Sequence, residues 1–312
     1  MVSDGASVSF VVPCYRNLRT VGFTLRSIFA QEHCSDPEII LVDSSEESVS
    51  DWVNTHFPGV RLLRPGRRLW AGAARNLGAS RGDGDLLAFV DADAVLRPSW
   101  LPTLRKRLDE SNETVAAGGY VENANPGTLA SRILHWTEFS EFLPGTPSGS
   151  RRFLSSSNLL LRRDEFLATG GFPEHVPASE DRLFFHHLLE GAQRHAFWDG
   201  STGIMHFHRS HWNEALRHLY HLGYWGGRVR KEQPILRGGH LGYVPSAALI
   251  LPLYRTPLIV LRACRARPRN LPEAIALSPL MVLALTSWAR GFRAGLKASR
   301  EPDWASGEIS DL

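Results

Sequence analysis

The sequence predicts an α/β fold, a mostly parallel sheet flanked by helices, followed by a C-terminal helical extension. Three observations predict it. Short β-rich runs alternate with helical patterns four times between Val8 and Val90, as in βαβ units. Two of those runs, Glu38–Asp43 and Leu86–Asp93, are continuously apolar and end in carboxylates. That pattern fits parallel strands buried on both faces, ending at the edge where α/β folds bind ligands. Late in the chain, two apolar blocks, Val244–Leu261 and Ile275–Trp288, flank an arginine cluster.

The elements follow in order. Val8–Val12 is a strand stopped by Pro13, and Leu18–Gln31 is a helix with Val21, Leu25, Ile28 and Phe29 at helical spacing. Glu38–Asp43 is a strand, Ser48–His56 a short helix, Val60–Leu63 a strand, and Trp70–Arg81 a helix of small residues. Leu86–Val90 is the central strand. Right-handed crossovers put the ends of the first, second and fourth strands on one edge, gathering Pro13-Cys14-Tyr15, Asp43 and Asp91-Ala92-Asp93. Pro98–Leu108 is a helix, Thr114–Val121 a strand, Thr128–Phe142 helical, and Gly145–Gly149 a flexible loop that could act as a lid. Phe153–Leu161, Arg194–Trp198 and Thr202–His208 are strands, and Trp212–Lys231 is a helix.

Composition sets bounds. The 312 residues, 43% hydrophobic and 21% charged, suffice for one large or two ordinary domains with a sizeable core. A net charge of +3 is too mild to argue for nucleic acid, and no nucleic-acid-binding motif is present. Three cysteines, Cys14, Cys34 and Cys264, form no C-x-x-C pair and fit a reducing cytoplasm. The N-terminal residues lack a signal-peptide pattern, and no uncharged apolar run reaches the ~18 residues of a spanning helix. Neither G-x-G-x-x-G nor a P-loop occurs, which disfavours a dinucleotide or P-loop site.

The chemistry centres on Asp91 and Asp93. The two share residue parity, so they point the same way if extended geometry persists past Val90. Such a pair repels itself unless a cation sits beside it. Hard oxygen ligands select Mg²⁺ or Mn²⁺, often shared with substrate phosphates. The competing reading has Asp91 end the strand and Asp93 cap the helix starting near Pro98. Asp43 is either a turn former with Ser44 and Ser45 or an acceptor for base or ribose hydrogens. Arg75 is either a solvated charge or a fork for a base carbonyl or phosphate. Glu180-Asp181, after Ser179, suits an N-capped first helical turn as well as catalysis. His206 and His208 share parity, but no third ligand at zinc spacing accompanies them.

Five segments together resemble the opening of glycosyltransferase family 2. They are Val11-Val12-Pro13-Cys14-Tyr15-Arg16-Asn17, Ser27-Ile28-Phe29-Ala30-Gln31, Ile40-Leu41-Val42-Asp43-Ser44-Ser45, Ala74-Arg75-Asn76-Leu77-Gly78 and Phe89-Val90-Asp91-Ala92-Asp93. Arg162-Arg163, Gly170-Gly171-Phe172 and Glu180-Asp181 resemble its acceptor-side half. The resemblance covers about residues 7 to 230. It implies the Rossmann-like GT-A fold, a nucleotide-diphosphate-sugar donor and inversion at the anomeric carbon. It implies Asp43 at the nucleobase, Arg75 near the nucleotide, Asp91 at the ribose and Asp93 on Mn²⁺ or Mg²⁺, with Pro13, Tyr15, Ala92 and Asn158 completing the donor set. It further implies Asp181 as general base, Glu180 supporting it, and a histidine, for which His206 is chosen over His208, completing the metal shell. Two departures stand out: Ala94 where many members have a third acidic residue, and Val42-Asp43-Ser44-Ser45 where many have V-D-D-G-S.

The resulting expectation is a metal-dependent inverting glycosyltransferase using a UDP-sugar and a glycan or lipid-linked acceptor. The catalytic domain spans 1–235. A helical extension at 236–300 contacts a membrane surface through 244–288, or packs on the catalytic domain or on a second subunit, and 301–312 is a disordered tail. The expected location is cytoplasmic, peripheral on the inner face of the cell membrane, since arginines beside apolar helices suit anionic lipid. His186 and His187 read as structural; Arg209, Arg217 and Arg228 read as a solvated face that could also meet a diphosphate. Two rivals are a catalytically inactive nucleotide-sugar-binding scaffold and a nucleotidyltransferase. Pro13-Cys14-Tyr15-Arg16-Asn17 makes a poor glycine-rich basic loop for the latter.

Overall fold

β1 (Val8–Cys14), β2 (Glu38–Asp43), β3 (Val60–Leu63) and β4 (Leu86–Val90) lie parallel in the order β3-β2-β1-β4. The computed structural model describes residues 6–190, 194–234, 236, 241 and 244–298. The crossovers are α1 (Leu18–Phe29), α2 (Ser50–His56) and α3 (Ala71–Ala79). Every residue of β4 is buried, which explains its unbroken apolar run. Cys14 pairs with Asp43, and Val11 with Phe89. The carboxyl ends of β1, β2 and β4 therefore share one edge, as expected. The small residues of α3 let it lie close on the sheet, for a Cβ on Gly78 would meet Val11 Cγ1 at 2.3 Å.

Beyond β4 the sheet continues through β8 (Asn158–Arg162), β6 (Thr114–Asn123), β9 (His195–His206) and β5 (Ala94–Leu96), while β7 (Gly149–Arg151) pairs with β9. Among the described residues these nine strands form one sheet. β5 and β7 are additions to the expected elements, since three residues carry too little pattern to read. Gly149, expected in a flexible loop, instead opens β7, and Ser148 Oγ accepts the Gly200 N–H at 2.9 Å. The two strands expected around Asp199-Gly200 are one strand, β9, whose register against β6 shifts there. Asp199 Oδ1 accepts the Ser201 N–H at 2.7 Å and stabilises the irregularity. The remaining helices are α4 (Trp100–Glu110), α5 (Leu129–Phe139), α6 (Arg163–Ala168), α7 (Glu180–Leu188), α8 (Trp212–Glu232), α9 (Leu251–Ala266) and α10 (Leu271–Lys297).

The chain divides into two units. The first comprises Met1–Ala124, Pro147–Glu174 and Glu180–Phe207, and holds the sheet with α1 to α4, α6 and α7. The second comprises Asn125–Thr146, His175–Ser179 and His208–Leu312, and holds α5, α8, α9 and α10. The expected division at residue 235 thus separates α8 from the helices it groups with. The physical reason is the contact between α8 and α10. A Cβ on Gly223 would lie 2.0 Å from Trp288 O, and one on Gly227 2.2 Å from Phe292 O. In return, Gly291 and Gly295 would meet Tyr220 O at 2.1 Å and Tyr224 O at 2.0 Å. Two glycine pairs, each four residues apart, bring the backbones together. Gly227→Leu is expected to destabilise the second unit by about 3 kcal/mol, the upper end for overpacking, because the obstacle is backbone. Thermal unfolding checks it, with Gly127→Ala, where nothing lies within 4 Å, as a silent control.

The apolar blocks expected at 244–261 and 275–288 are α9 with its preceding turn and α10. With their leading turns, both are long and apolar enough to cross a membrane by length and composition. Counting only uncharged runs hid this. The expected tail, 301–312, lies outside the described residues.

Candidate functional site

β4 ends at Val90 and the chain turns: the Ala94 N–H donates to Asp91 O at 3.0 Å. Strand parity therefore does not orient the two aspartates; the turn over Asp91-Ala92-Asp93-Ala94 does. β5 then runs antiparallel to β9 with Ala94 opposite His206, and the Phe207 N–H donates to Asp93 O at 2.9 Å. One ligand atom each from Asp91, Asp93 and His206 consequently lie within 4.8 Å of one another. His206 Nε2 is 3.3 Å from Asp93 Oδ1. Two carboxylate oxygens and one imidazole nitrogen, all part-exposed, are a fitting donor set for Mn²⁺ or Mg²⁺. Asp93 does not cap the next helix, since α4 begins at Trp100 after Ser99. His208 lies beyond the end of β9, so shared parity with His206 fails. Its ring packs 5.6 Å from both His135 and Phe139 in the second unit.

Arg75 is 3% exposed, not a solvated charge. Its two terminal nitrogens donate to Asp91 Oδ1 at 2.7 Å and Glu180 Oε1 at 2.6 Å. The guanidinium lies 5.4 Å from the Phe172 ring centre. The next residue makes a second clasp. Asn76 Nδ2 donates to Phe172 O at 2.8 Å, and Asn76 Oδ1 accepts the Phe172 N–H at 2.8 Å. Gly171 sits at φ +86°, where a Cβ would lie 2.6 Å from Asn76 Oδ1, so only glycine fits. A Cβ on Gly72 would meet Pro173 O at 2.8 Å and Glu180 Cγ at 3.4 Å. The small residues of α3 thus serve two approaches, to the sheet and to the segment leading into α7.

Glu180 is buried and Asp181 half-buried in the first turn of α7. Burial pushes the Glu180 carboxyl up to about 7, with Arg75 pulling against it and Asp181 adding to it. Burial also raises Asp181, against Arg182 and Arg75. Asp181 Oδ1 accepts the Arg182 N–H at 2.8 Å. A carboxyl that binds its proton more tightly when folded contributes stability that is full below the ordinary value of 4.5 and lost as pH rises through about 7. Unfolding measured across that window is expected to show stability falling toward neutral pH, and Glu180→Gln is expected to flatten the slope.

The other expected donor residues are placed as follows. Pro13 lies near the end of β1, opposite Val42, and Ala92 is buried in the turn. The Tyr15 hydroxyl donates to Glu46 at 2.9 Å. Arg68 stacks 4.4 Å from the Tyr15 ring centre and 4.3 Å from that of Trp70. Asp43 is fully buried; its oxygens accept the Ser45 and Val49 N–H groups at 3.1 Å each, with Arg64 3.4 Å away. It is a turn former, and no face of it is open. Asn158 needs correction as a donor contact. Its buried amide accepts from Trp100 Nε1 at 2.6 Å and donates to Gly119 O at 2.7 Å, so it binds β8 to β6. Arg228 is buried beside Glu232 at 2.8 Å and not on a solvated face. Sequence reasoning missed Asn76 and Arg68. The adjacency of Asn76 to Arg75 and the aromatic neighbours of Arg68 were the available signals.

The model of the family described as Glycosyl transferase family 2 matches residues 9–167, just over half of the chain. Glycosyltransferase AglE of Haloferax volcanii is 25% identical over 188 residues, 58% of this chain and 60% of that protein. Glucosyl-dolichyl phosphate glucuronosyltransferase of the same organism is 30% identical over 187 residues, 56% of this chain and 58% of that one. The chain thus spans less than two thirds of the length of either relative. Among solved structures, S. aureus TarS 1–349 superposes with a TM-score of 0.54 at 14% identity, over 92% of this chain and 89% of that chain. GalNAc-T7 does so with a TM-score of 0.54 at 12% identity, over 73% and 51%. These structural likenesses are of fold, and the fold is GT-A-like. By the extent of the family match, the chain belongs to glycosyltransferase family 2.

Proposed function

We propose that this chain is a metal-dependent inverting glycosyltransferase. In this reading it moves a sugar from a nucleotide-diphosphate sugar, a UDP-sugar, to a hydroxyl of a glycan or lipid-linked acceptor. The observation that carries it is the Asp91–Asp93–His206 cluster, tied through Arg75 to Glu180 beside Asp181. Family membership supports it, as do fold neighbours crystallised with UDP-GlcNAc, in TarS, and with UDP, GalNAc and Mn²⁺, in GalNAc-T7.

Each residue has a task in this mechanism. Asp93 and His206, with Asp91 alongside, would hold Mn²⁺ or Mg²⁺, which supplies Lewis-acid neutralisation of the donor diphosphate. Pro13, Tyr15 and Ala92 border the sheet edge that receives the nucleoside, and Arg68 beside Tyr15 offers cationic charge there. Asp181 takes the proton of the acceptor hydroxyl as its oxygen attacks the anomeric carbon. The nucleoside diphosphate departs from the opposite face, which inverts the centre, and one carboxylate base suffices. Arg75 anchors Glu180, and Glu180 fixes the start of α7 and hence its neighbour Asp181.

The reading includes a cytoplasmic location, peripheral on the inner membrane face, with contact through 244–288. Calorimetric titration with UDP tests the donor half. Binding is expected to require Mn²⁺ or Mg²⁺, to vanish on chelation, and to weaken at least roughly 10–100-fold in His206→Ala. Metal-independent binding unaffected by His206→Ala would count against it.

A further inference from the structure

The outward faces of α9 and α10 run against the usual rule for surface helices. Among the described residues, thirteen large hydrophobic side chains are exposed, and eight of them lie between Val244 and Leu283. On α9 and its leading turn, Ile250, Leu253 and Leu261 recur at helical spacing on the exposed side; Leu253 is 65% exposed. On α10, Ile275 and Leu283 do the same, Ile275 at 55%. Soluble helices put polar residues there, and an exposed apolar patch of this extent marks an interaction surface.

Two further features say what covers it. Between the helices runs an apolar groove of about 430 Å³, lined by Thr256, Val260, Leu261, Cys264, Leu271 and Ser278. The charge is one-sided. Residues 244–297 carry eight Arg or Lys against one acidic residue, Glu273, which is itself paired with Arg132 at 2.8 Å. Arg265 and Arg269 are exposed at the tip of the hairpin, where the apolar stripe ends.

We propose that the α9–α10 hairpin is a monotopic lipid-binding face. Its apolar stripe lies in the headgroup–acyl boundary of an anionic membrane leaflet, the groove seats one lipid chain, and Arg265 and Arg269 pair with lipid phosphate. An apolar face flanked by arginines is the chemistry of surface-lying anchors. The hairpin lies on the leaflet and does not cross it. The opposite side of α10 is locked onto α8 by the four glycines at backbone contact. α8 carries Arg217, His218, His221, Arg228 and Arg230, and a crossing α10 would draw those charges into hydrocarbon. This sharpens the membrane contact proposed above to one face, one mode and one lipid charge, and it does not depend on the transfer chemistry.

Vesicle flotation of the full chain tests it, with vesicles of phosphatidylcholine alone and of equimolar phosphatidylcholine and phosphatidylglycerol. The protein is expected to float with the mixed vesicles, at least about tenfold more tightly than with phosphatidylcholine, and to be released by high salt. Leu253→Asp/Ile275→Asp is expected to abolish flotation. Arg265→Glu/Arg269→Glu is expected to remove the preference for anionic lipid only. All four positions are outside the proposed catalytic site, and thermal unfolding of both variants at the wild-type midpoint reports that the fold is intact. No flotation of the wild type, equal flotation of the aspartate variant, or retention through salt and alkaline washes would each overturn the proposal. So would a lipid-independent dimer that the aspartate variant dissociates, since a second copy would then cover the face. Flotation without UDP binding would leave the lipid face standing and remove the transferase reading; the converse would separate them the other way.

Discussion

Asp181→Asn is expected to lower transfer by about 10²–10⁴-fold, the usual share of a general base, with donor affinity unchanged. Asparagine keeps the size of the side chain and an oxygen for the Arg182 N–H, which Asp181 now holds at 2.8 Å. It cannot take a proton. The wild-type rate should rise with pH as the Glu180–Asp181 pair loses protons, because burial raises both carboxyls and Glu180 sits at about 7. That rise belongs to the pair, not to either residue. Steady-state kinetics over pH 5.5–8.5, or about three units around that value, should show it flattened in Asp181→Asn. A variant with near wild-type turnover would remove Asp181 from the base role.

Arg75→Met is expected to cost about 3–5 kcal/mol of stability, the penalty for stranding buried charge. That is a large part of the roughly 5–15 kcal/mol that holds a domain together. The substitution fills similar volume but leaves both Asp91 and Glu180 without their shared cation. Arg75→Lys should recover only part, because one ammonium cannot reach two carboxylates in fork geometry. Adding Glu180→Gln to Arg75→Met should recover part of the loss at alkaline pH, where Glu180 would otherwise ionise without its partner, and little at acid pH, where burial keeps it protonated. Urea unfolding of wild type, Arg75→Met, Glu180→Gln and the double variant forms the cycle. Full additivity would mean that Arg75 and Glu180 do not depend on each other.

Much of the first unit was legible because buried parallel strands announce themselves. β1, β2 and β4 are apolar runs, the last two with carboxylates at or just past their ends, and the shared edge follows from crossover handedness. Asp91, Asp93, His206 and Glu180-Asp181 stood out in the chain as titratable side chains, and the structure brings one ligand atom each of Asp91, Asp93 and His206 within 4.8 Å of one another. Long-range pairing was not legible. Arg75 and Glu180 are 105 residues apart, and nothing local to either predicts a 2.6 Å contact. Asn158 misled because a polar residue at a strand start reads as a ligand contact, whereas its partners Trp100 and Gly119 come from other elements. The turn after Val90 escaped because the strand pattern was extended one step too far. In the second unit, the four-residue glycine spacing of α8 and α10 is visible in the chain, but which helix faces which is a matter of tertiary packing.

The central claim is that this site turns over a nucleotide sugar with a divalent metal. The direct measurement is hydrolysis of a panel of UDP-, GDP- and dTDP-sugars by purified protein with Mn²⁺ or Mg²⁺, in the presence and absence of a lipid-linked acceptor mixture, comparing wild type with Asp93→Ala. The expected result is metal-dependent turnover of one donor, a UDP-sugar, lost in Asp93→Ala and stopped by chelation. Turnover that persists without metal and in Asp93→Ala, or no turnover together with no metal-dependent binding of any donor, would contradict it.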